Sequence, residues 1–253
     1  MTAILRAIAV PAALLLAGEI AMRAAGSSSD ALAPPSDVAA ALAALLADGE
    51  MLRASAETLA SALGGLAIGG GVGLLAGLLF GAVPAAARLF AIVVEGIRPI
   101  PAVALIPLAL ILFGFGFRLE IAIVAFAAIW PMLVFTQAAV AAVDTQLLDV
   151  ARVLRLPLAA RLARIVVPFA LPRIFVAFRL AFGVALIVAV TVEIAVNPLG
   201  LGYGMTMAQQ TLRPADMLAY LVWIGVLGFL LNVLLLVVQR TVFGRFLPRG
   251  ARP

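Results

Sequence analysis

The stretch Gln146–Arg179, QLLDVARVLRLPLAARLARIVVPFALPRIFVAFR, is a polar island between two long apolar runs, and its reading decides how the rest of the chain is arranged. Arg152, Arg155, Arg161, Arg164, Arg173 and Arg179 fall here against the nearby acids Asp144 and Asp149. Arginines gathered beside apolar segments mark the cytoplasmic flank of a membrane protein, because the positively charged loop is the one that stays inside. The island therefore faces the cytoplasm, and the runs on either side of it cross the bilayer.

Composition agrees. Of 253 residues, 66% are hydrophobic and 11% charged, whereas a soluble domain has roughly 45–50% and about 25%. Cysteine and histidine are both absent, which removes disulfides, thiolate metal sites and the commonest general base together. A membrane-embedded enzyme is disfavoured on the same ground, since no nucleophile and base stand together. No metal-ligand spacing is present either. The net charge of +5 reads as a topology signal, since no aromatic and basic residues interleave as nucleic-acid binding would need. All 17 positive charges are arginine, the codon habit of a GC-rich bacterial genome.

A hydrocarbon core of about 30 Å takes about 20 apolar residues in a helix, and this ruler finds spans at 3–22, 58–83, 89–117, 121–143, 171–196 and 217–238. The class is all-α, a polytopic membrane protein of six transmembrane helices. The first span has the basic start of a signal peptide but reads better as a retained anchor over 1–25, with Glu19 reaching interfacial water. Residues 26–57 form an outer loop whose Ser36 and Asp37 start a short amphipathic helix that Asp48 and Gly49 close. A core of five helices over 58–245 follows, with a cytoplasmic loop at 144–170 inside it, and 246–253 is a cytoplasmic tail.

Within the second span, Gly65, Gly69, Gly73, Gly77 and Gly81 recur every fourth residue. Such a ladder presents a bare stripe along which another helix can approach closely. The third span carries Pro99, Pro101 and Pro107, which break the hydrogen-bond ladder. A break at membrane depth is tolerated only where protein or a water-filled cavity meets the freed backbone groups. This span is expected to be discontinuous and to line a path, with Glu95 and Arg98 placed either to pair with each other at i,i+3 or to meet a solute. Glu193 and Asn197, at the far end of the fifth span, are further path candidates, and NPLGLGYG at 197–204 reads as a turn-rich outer loop. Twelve arginines fall on the side of the island and of both termini, against Arg23, Arg53, Arg118 and Arg213 on the other. Both termini are therefore expected in the cytoplasm.

No GxxxxGK[ST] loop appears, so the chain does not itself hydrolyse a nucleotide. The island reads as two short helices, TQLLDVARVL and LAARLARIVV, turning at Arg155–Pro157. An amphipathic, arginine-flanked pair of this kind suits either an anionic lipid surface or a protein cleft.

Asp149-Val150-Ala151, three residues, Arg155, nine residues and Ile165-Val166-Val167-Pro168 resemble, in register, the EAA loop (E-A-A-x3-G-x9-I-x-L-P) of binding-protein-dependent ABC importer permeases. Asp replaces Glu, Val replaces the first Ala and the Leu, and Arg155 stands where the family has the glycine that permits the turn. RPIPAVALIPLALILFGFG at 98–116 resembles the third-span signature of the nitrate, sulfonate and taurine permeases. VPFALPRIFVAFRLAFG at 167–183 resembles the start of their fifth span, and Glu193 followed by GLGYG at 200–204 their outer-loop motif. The resemblance implies a MetI-like permease fold working as a homodimer in the bacterial inner membrane. It further implies an ABC ATPase that binds ATP and Mg and docks at Leu147, Leu148, Asp149, Ala151, Arg152, Arg155 and Pro168. A periplasmic binding protein would deliver a small anionic solute, and the chain itself would carry no cofactor. The rival in another class is an ion-coupled secondary transporter that needs no ATPase.

Overall fold

The computed structural model describes residues 2–25, 32–144, 146, 147, 149 and 153–243, and among these it contains helices and no strand. The chain divides into two compact units, Met1–Thr58 with Pro198–Leu227, and Leu59–Asn197 with Gly228–Pro253.

In the first unit, α1 spans Thr2–Ala25 and α2 spans Pro35–Ala47. Glu19 does not simply reach toward interfacial water. It accepts from the backbone N–H of Ser36 at 3.0 Å and pairs with Arg23, so a carboxylate from α1 meets the free donors at the start of α2. Helix α3 begins at Glu50 and extends to Gly65. It starts eight residues before the span expected at Thr58, with Arg53 and Glu57 paired one turn apart at 3.1 Å. The segment expected as a turn-rich loop is instead largely helical, with α10 at Gly200–Gln210. Its first N–H groups are met by side chains of α3: Gly200 N–H donates to Glu57 Oε2 and Leu201 N–H to Thr58 Oγ1, both at 3.0 Å. Helix α11, Pro214–Phe243, adds two further bonds to α3, from Tyr220 Oη to Glu50 at 3.0 Å and from Trp223 Nε1 to Ser55 Oγ at 2.8 Å.

The second unit is organised around α7, Phe117–Ala141, which contributes twelve buried residues. Along it runs α4, Gly71–Ala82, continuous with α3 through a π-helical turn at Leu66–Gly70. A single non-helical residue, Val83, separates α4 from α5, Pro84–Ile97, so the gap between the spans expected at 58–83 and 89–117 is already helix, with Pro84 in the first turn where its missing N–H costs nothing. A 3-10 turn at Ala102–Leu105 leads to α6, Ile106–Phe113. Beyond α7 come α8, Leu158–Arg161, a second π turn at Leu162–Val166, and α9, Val167–Ala195. Helix α9 packs on α7 through Ala170, Ala177, Ala181, Ala185 and Ala189, each with no exposed surface. These small side chains let two helix backbones come close where lipid supplies no hydrophobic drive.

Among the described residues, Glu50–Ala82, Phe117–Ala141, Ala159–Gln210 and Pro214–Thr241 are long and apolar enough to cross a bilayer. The pair Pro84–Ile97 and Ala102–Phe113, bent by 77°, makes a fifth if taken as one span. Of the six crossings expected, α1 is the one outside this set.

Candidate functional site

The cytoplasmic-loop candidates lie only partly within the described residues. Leu148, Ala151 and Arg152 fall outside them, whereas Gln146, Leu147, Asp149 and Val153 are helical. Arg155 follows with φ +51°, the left-handed backbone region in which a Cβ is unfavourable. The chain therefore turns left-handed at the one motif position where the EAA pattern has glycine. Three large apolar side chains are open to the surface here, Leu147 at 39%, Val153 at 83% and Leu154 at 62%. A shallow recess of about 380 Å³ lies among Gln146, Asp149, Val153 and Leu154. Pro168 is exposed in the first turn of α9, immediately after the π turn.

The broken span carries the second group. Proline and the absence of a continuous hydrogen-bond ladder stop α5 at Ile97, with Arg98 as its cap residue and Pro101 as the cap of the following 3-10 turn. Glu95 and Arg98 open onto a recess of about 380 Å³ together with Gln137 of α7, among Phe80, Val94 and Leu133. They do not pair with each other: among the described residues no ion pair joins them, and both are exposed.

The third group is a buried polar clasp, of which only part was legible in the sequence. Asn197, with no exposed surface, donates from Nδ2 to Glu120 Oε2 at 2.6 Å and accepts at Oδ1 from the N–H of Gly116 at 2.8 Å. Glu120 is itself fully buried, and the carboxyl of Glu193, 2% exposed, adjoins it. Glu193 and Asn197 thus meet each other's neighbourhood as interior groups tying the end of α9 to the start of α7 and to the Gly114–Gly116 turn. In the sequence Glu120 stands two residues after Arg118 in a short polar turn between two apolar spans, and a carboxylate directly before the apolar run 121–129 is its only signal.

The glycines of the ladder all face α7. A Cβ at Gly65 or Gly81 would meet the side chain of Val124 or Val140; at Gly69, Gly73 and Gly77 it would meet the backbone oxygens of Ala125, Ile129 and Leu133. Backbone has no rotamer by which to yield, so a side chain there forces the helices apart.

Residues 69–247, which hold the ladder from Gly69 onward, the broken span, the clasp and the loop, match the family described as the binding-protein-dependent transport system inner membrane component. The chain belongs to that family. This permease is 32% identical over 206 residues to a probable ABC transporter permease protein of Brucella melitensis, covering 81% of the chain and 84% of the relative. It is 27% identical over 213 residues to a putative aliphatic sulfonates transport permease protein of Bacillus subtilis, covering 84% and 77%. It is also 28% identical over 179 residues to a bicarbonate transport system permease protein of Synechococcus elongatus, covering 70% and 64%. In fold it is similar to a chain of the MetNI methionine ABC transporter in an inward-facing form, with TM-score 0.62 at 22% identity over 74% of this chain and 91% of that one. The permease is thus a multi-pass inner-membrane subunit of an ABC transporter, a transport component and not an enzyme, with the MetI-like fold.

Proposed function

We propose that this permease forms, as a homodimer, the membrane path of an ATP-driven importer for a small anionic solute, and that residues 144–170 are where a separate ABC ATPase docks. The observation that carries the coupling assignment is the backbone of Arg155. At the position where the motif has glycine the chain adopts φ +51°, so the turn between the two short helices keeps its shape although the residue has changed. The exposed Leu147, Val153 and Leu154 beside it supply an apolar surface for a protein cleft. In this reading Leu148, Asp149, Ala151, Arg152 and Pro168 complete the docking segment, ATP and Mg bind in the partner ATPase, and a periplasmic binding protein delivers the solute.

The mechanism is alternating access. Nucleotide-driven closure of the ATPases moves the docked loops, and the discontinuous span, with Glu95, Arg98 and Pro101, rearranges around the path while Glu193 and Asn197 hold α9 to α7. Sulfonates and bicarbonate are the solutes named for two of the relatives, and both are anions, which is what favours an anionic solute; nitrate and taurine belong to the same expectation. Both termini lie in the cytoplasm in this arrangement, by the distribution of arginine.

Ala151 tests the docking assignment. A helix resting on lipid accepts a larger apolar side chain, whereas a helix fitted to a cleft does not. Ala151→Leu and Ala151→Glu are both expected to abolish ATPase copurification and solute-stimulated ATP hydrolysis in proteoliposomes, with membrane insertion unchanged. Normal coupling in Ala151→Leu would remove the segment from the ATPase contact and leave it as a lipid-surface helix.

A further inference from the structure

We infer that Glu95 and Arg98 close the contact between two copies of this chain, Glu95 of each copy pairing with Arg98 of the partner subunit. The inference rests on the reading of the permease as a two-copy channel and names the side chains that hold the copies together.

Helix α5 is a poorly covered element of its unit. It packs mainly on α4, and none of its residues is buried. Its exposed apolar residues, Leu89, Phe90, Ile92 and Val93, need nothing more than lipid. Glu95 and Arg98 do. Glu95 lies eleven residues beyond Pro84, about 16 Å along the helix at 1.5 Å per residue, inside the bent pair Pro84–Ile97 and Ala102–Phe113 that makes one span. An acid and a base within a membrane span are costly unless they are paired.

No ion pair among the described residues satisfies them. The ion pairs among the described residues join Arg23 with Glu19 and Asp37, Arg53 with Glu57, and Arg213 with Asp216. Gln137, which shares their recess, offers an amide but no charge. Between them Gly96 is open: no atom lies within 4 Å of where its Cβ would be. Among the described residues, nothing therefore covers this face of α5.

A second copy supplies what is missing. A two-fold axis places residue i against j and j against i, so one acid and one base a turn apart on the same helix become self-complementary, forming two equivalent pairs. Two like charges at these positions would repel instead. Charge complementarity thus selects a copy of the same chain as the occupant.

The test uses two differently tagged copies of the full-length permease expressed together with its ATPase and extracted in detergent. Glu95→Arg alone gives a protein with arginine at both positions, and Arg98→Glu alone gives one with an acid at both. Each, paired only with itself, is expected to lower copurification of the two tags about tenfold, as like charges directly opposed do across an interface. Co-expression of Glu95→Arg with Arg98→Glu is expected to restore the mixed dimer to the parent level and to restore uptake with it, and the swapped double variant to restore self-association. Recovery in the double variant without recovery in the mixed pair would place the ion pair inside one chain and overturn the inference. Normal self-association of both single variants with uptake lost would assign the charges to the solute and overturn it equally. If the parent's two tags do not copurify at all, the two-copy reading fails with it, and that result is distinct from the others. Should the charge reversals fail to insert, Glu95→Gln and Arg98→Gln supply the second measurement: the double variant is expected to associate no more weakly than either single one, and additive losses would refute the pairing.

Discussion

Replacing Gly69 by alanine adds one methyl group where the structure has least room for it. The three nearest atoms to that methyl are all backbone of Ala125, its oxygen, its carbonyl carbon at 2.6 Å and its Cα at 2.7 Å, whereas ordinary contact begins at 3.4 Å. No side chain can turn aside, so the paired helices must separate by about 1 Å, and a gap of that size forfeits about a quarter to a half of the dispersion well of each contact it opens. Overpacking of this kind costs about 1–3 kcal/mol. Alanine gains up to about 1 kcal/mol over glycine in a helix, which offsets part of that. Gly71, two residues on, provides the comparison: nothing lies within 4 Å of its Cβ position, so Gly71→Ala keeps the gain and incurs no overlap. The two variants are therefore expected to differ by about 1–3 kcal/mol, or about 2–12 °C in apparent melting temperature for a chain of this size. Fluorescence-detected size exclusion of heated, detergent-solubilised protein measures the order. A Gly69→Ala protein as stable as Gly71→Ala would refute the close approach of α4 and its π turn to α7.

Three further outcomes follow from the same reasoning. Asn197→Leu leaves Glu120 Oε2 and the N–H of Gly116 without their partner in a buried site. It is expected to cost about 1–3 kcal/mol for each group left unpaired, read as a lower melting temperature than in Asn197→Gln controls. Arg155→Gly is expected to keep ATPase copurification and Arg155→Val to impair it, because a β-branched residue resists φ +51° and the left-handed region costs about 1–2 kcal/mol even for ordinary side chains. Trp223→Phe removes the bond to Ser55 Oγ and is expected to destabilise the permease by about 1 kcal/mol, whereas Trp130→Phe, whose Nε1 has no partner among the described residues, is expected to be neutral in the same melting assay.

The membrane class, the helical content and the discontinuity at Pro99–Pro107 were legible in the residues themselves, because each rests on a local property: apolar length or a missing N–H. What the glycine ladder faces was not. Five rungs at four-residue spacing drift by about 160° around an ideal α-helix of 3.6 residues per turn, so a straight helix could not turn all of them toward one neighbour. The π turn at Leu66–Gly70 inserts one residue and rewinds about 100° of that drift, and the ladder then meets α7 from Val124 to Val140. The helix at Gly200–Gln210 was hidden for a related reason, since its N-terminal donors are met by Glu57 and Thr58, 143 residues away, and not by a local cap. Glu120 and Asn197 look like turn residues in isolation and become a buried clasp only when α7 and α9 pack. Local chemistry determined which segments enter the bilayer and where they break; the tertiary structure decided which polar groups are enclosed together, because a hydrogen bond across helices depends on packing geometry that no short window of sequence contains.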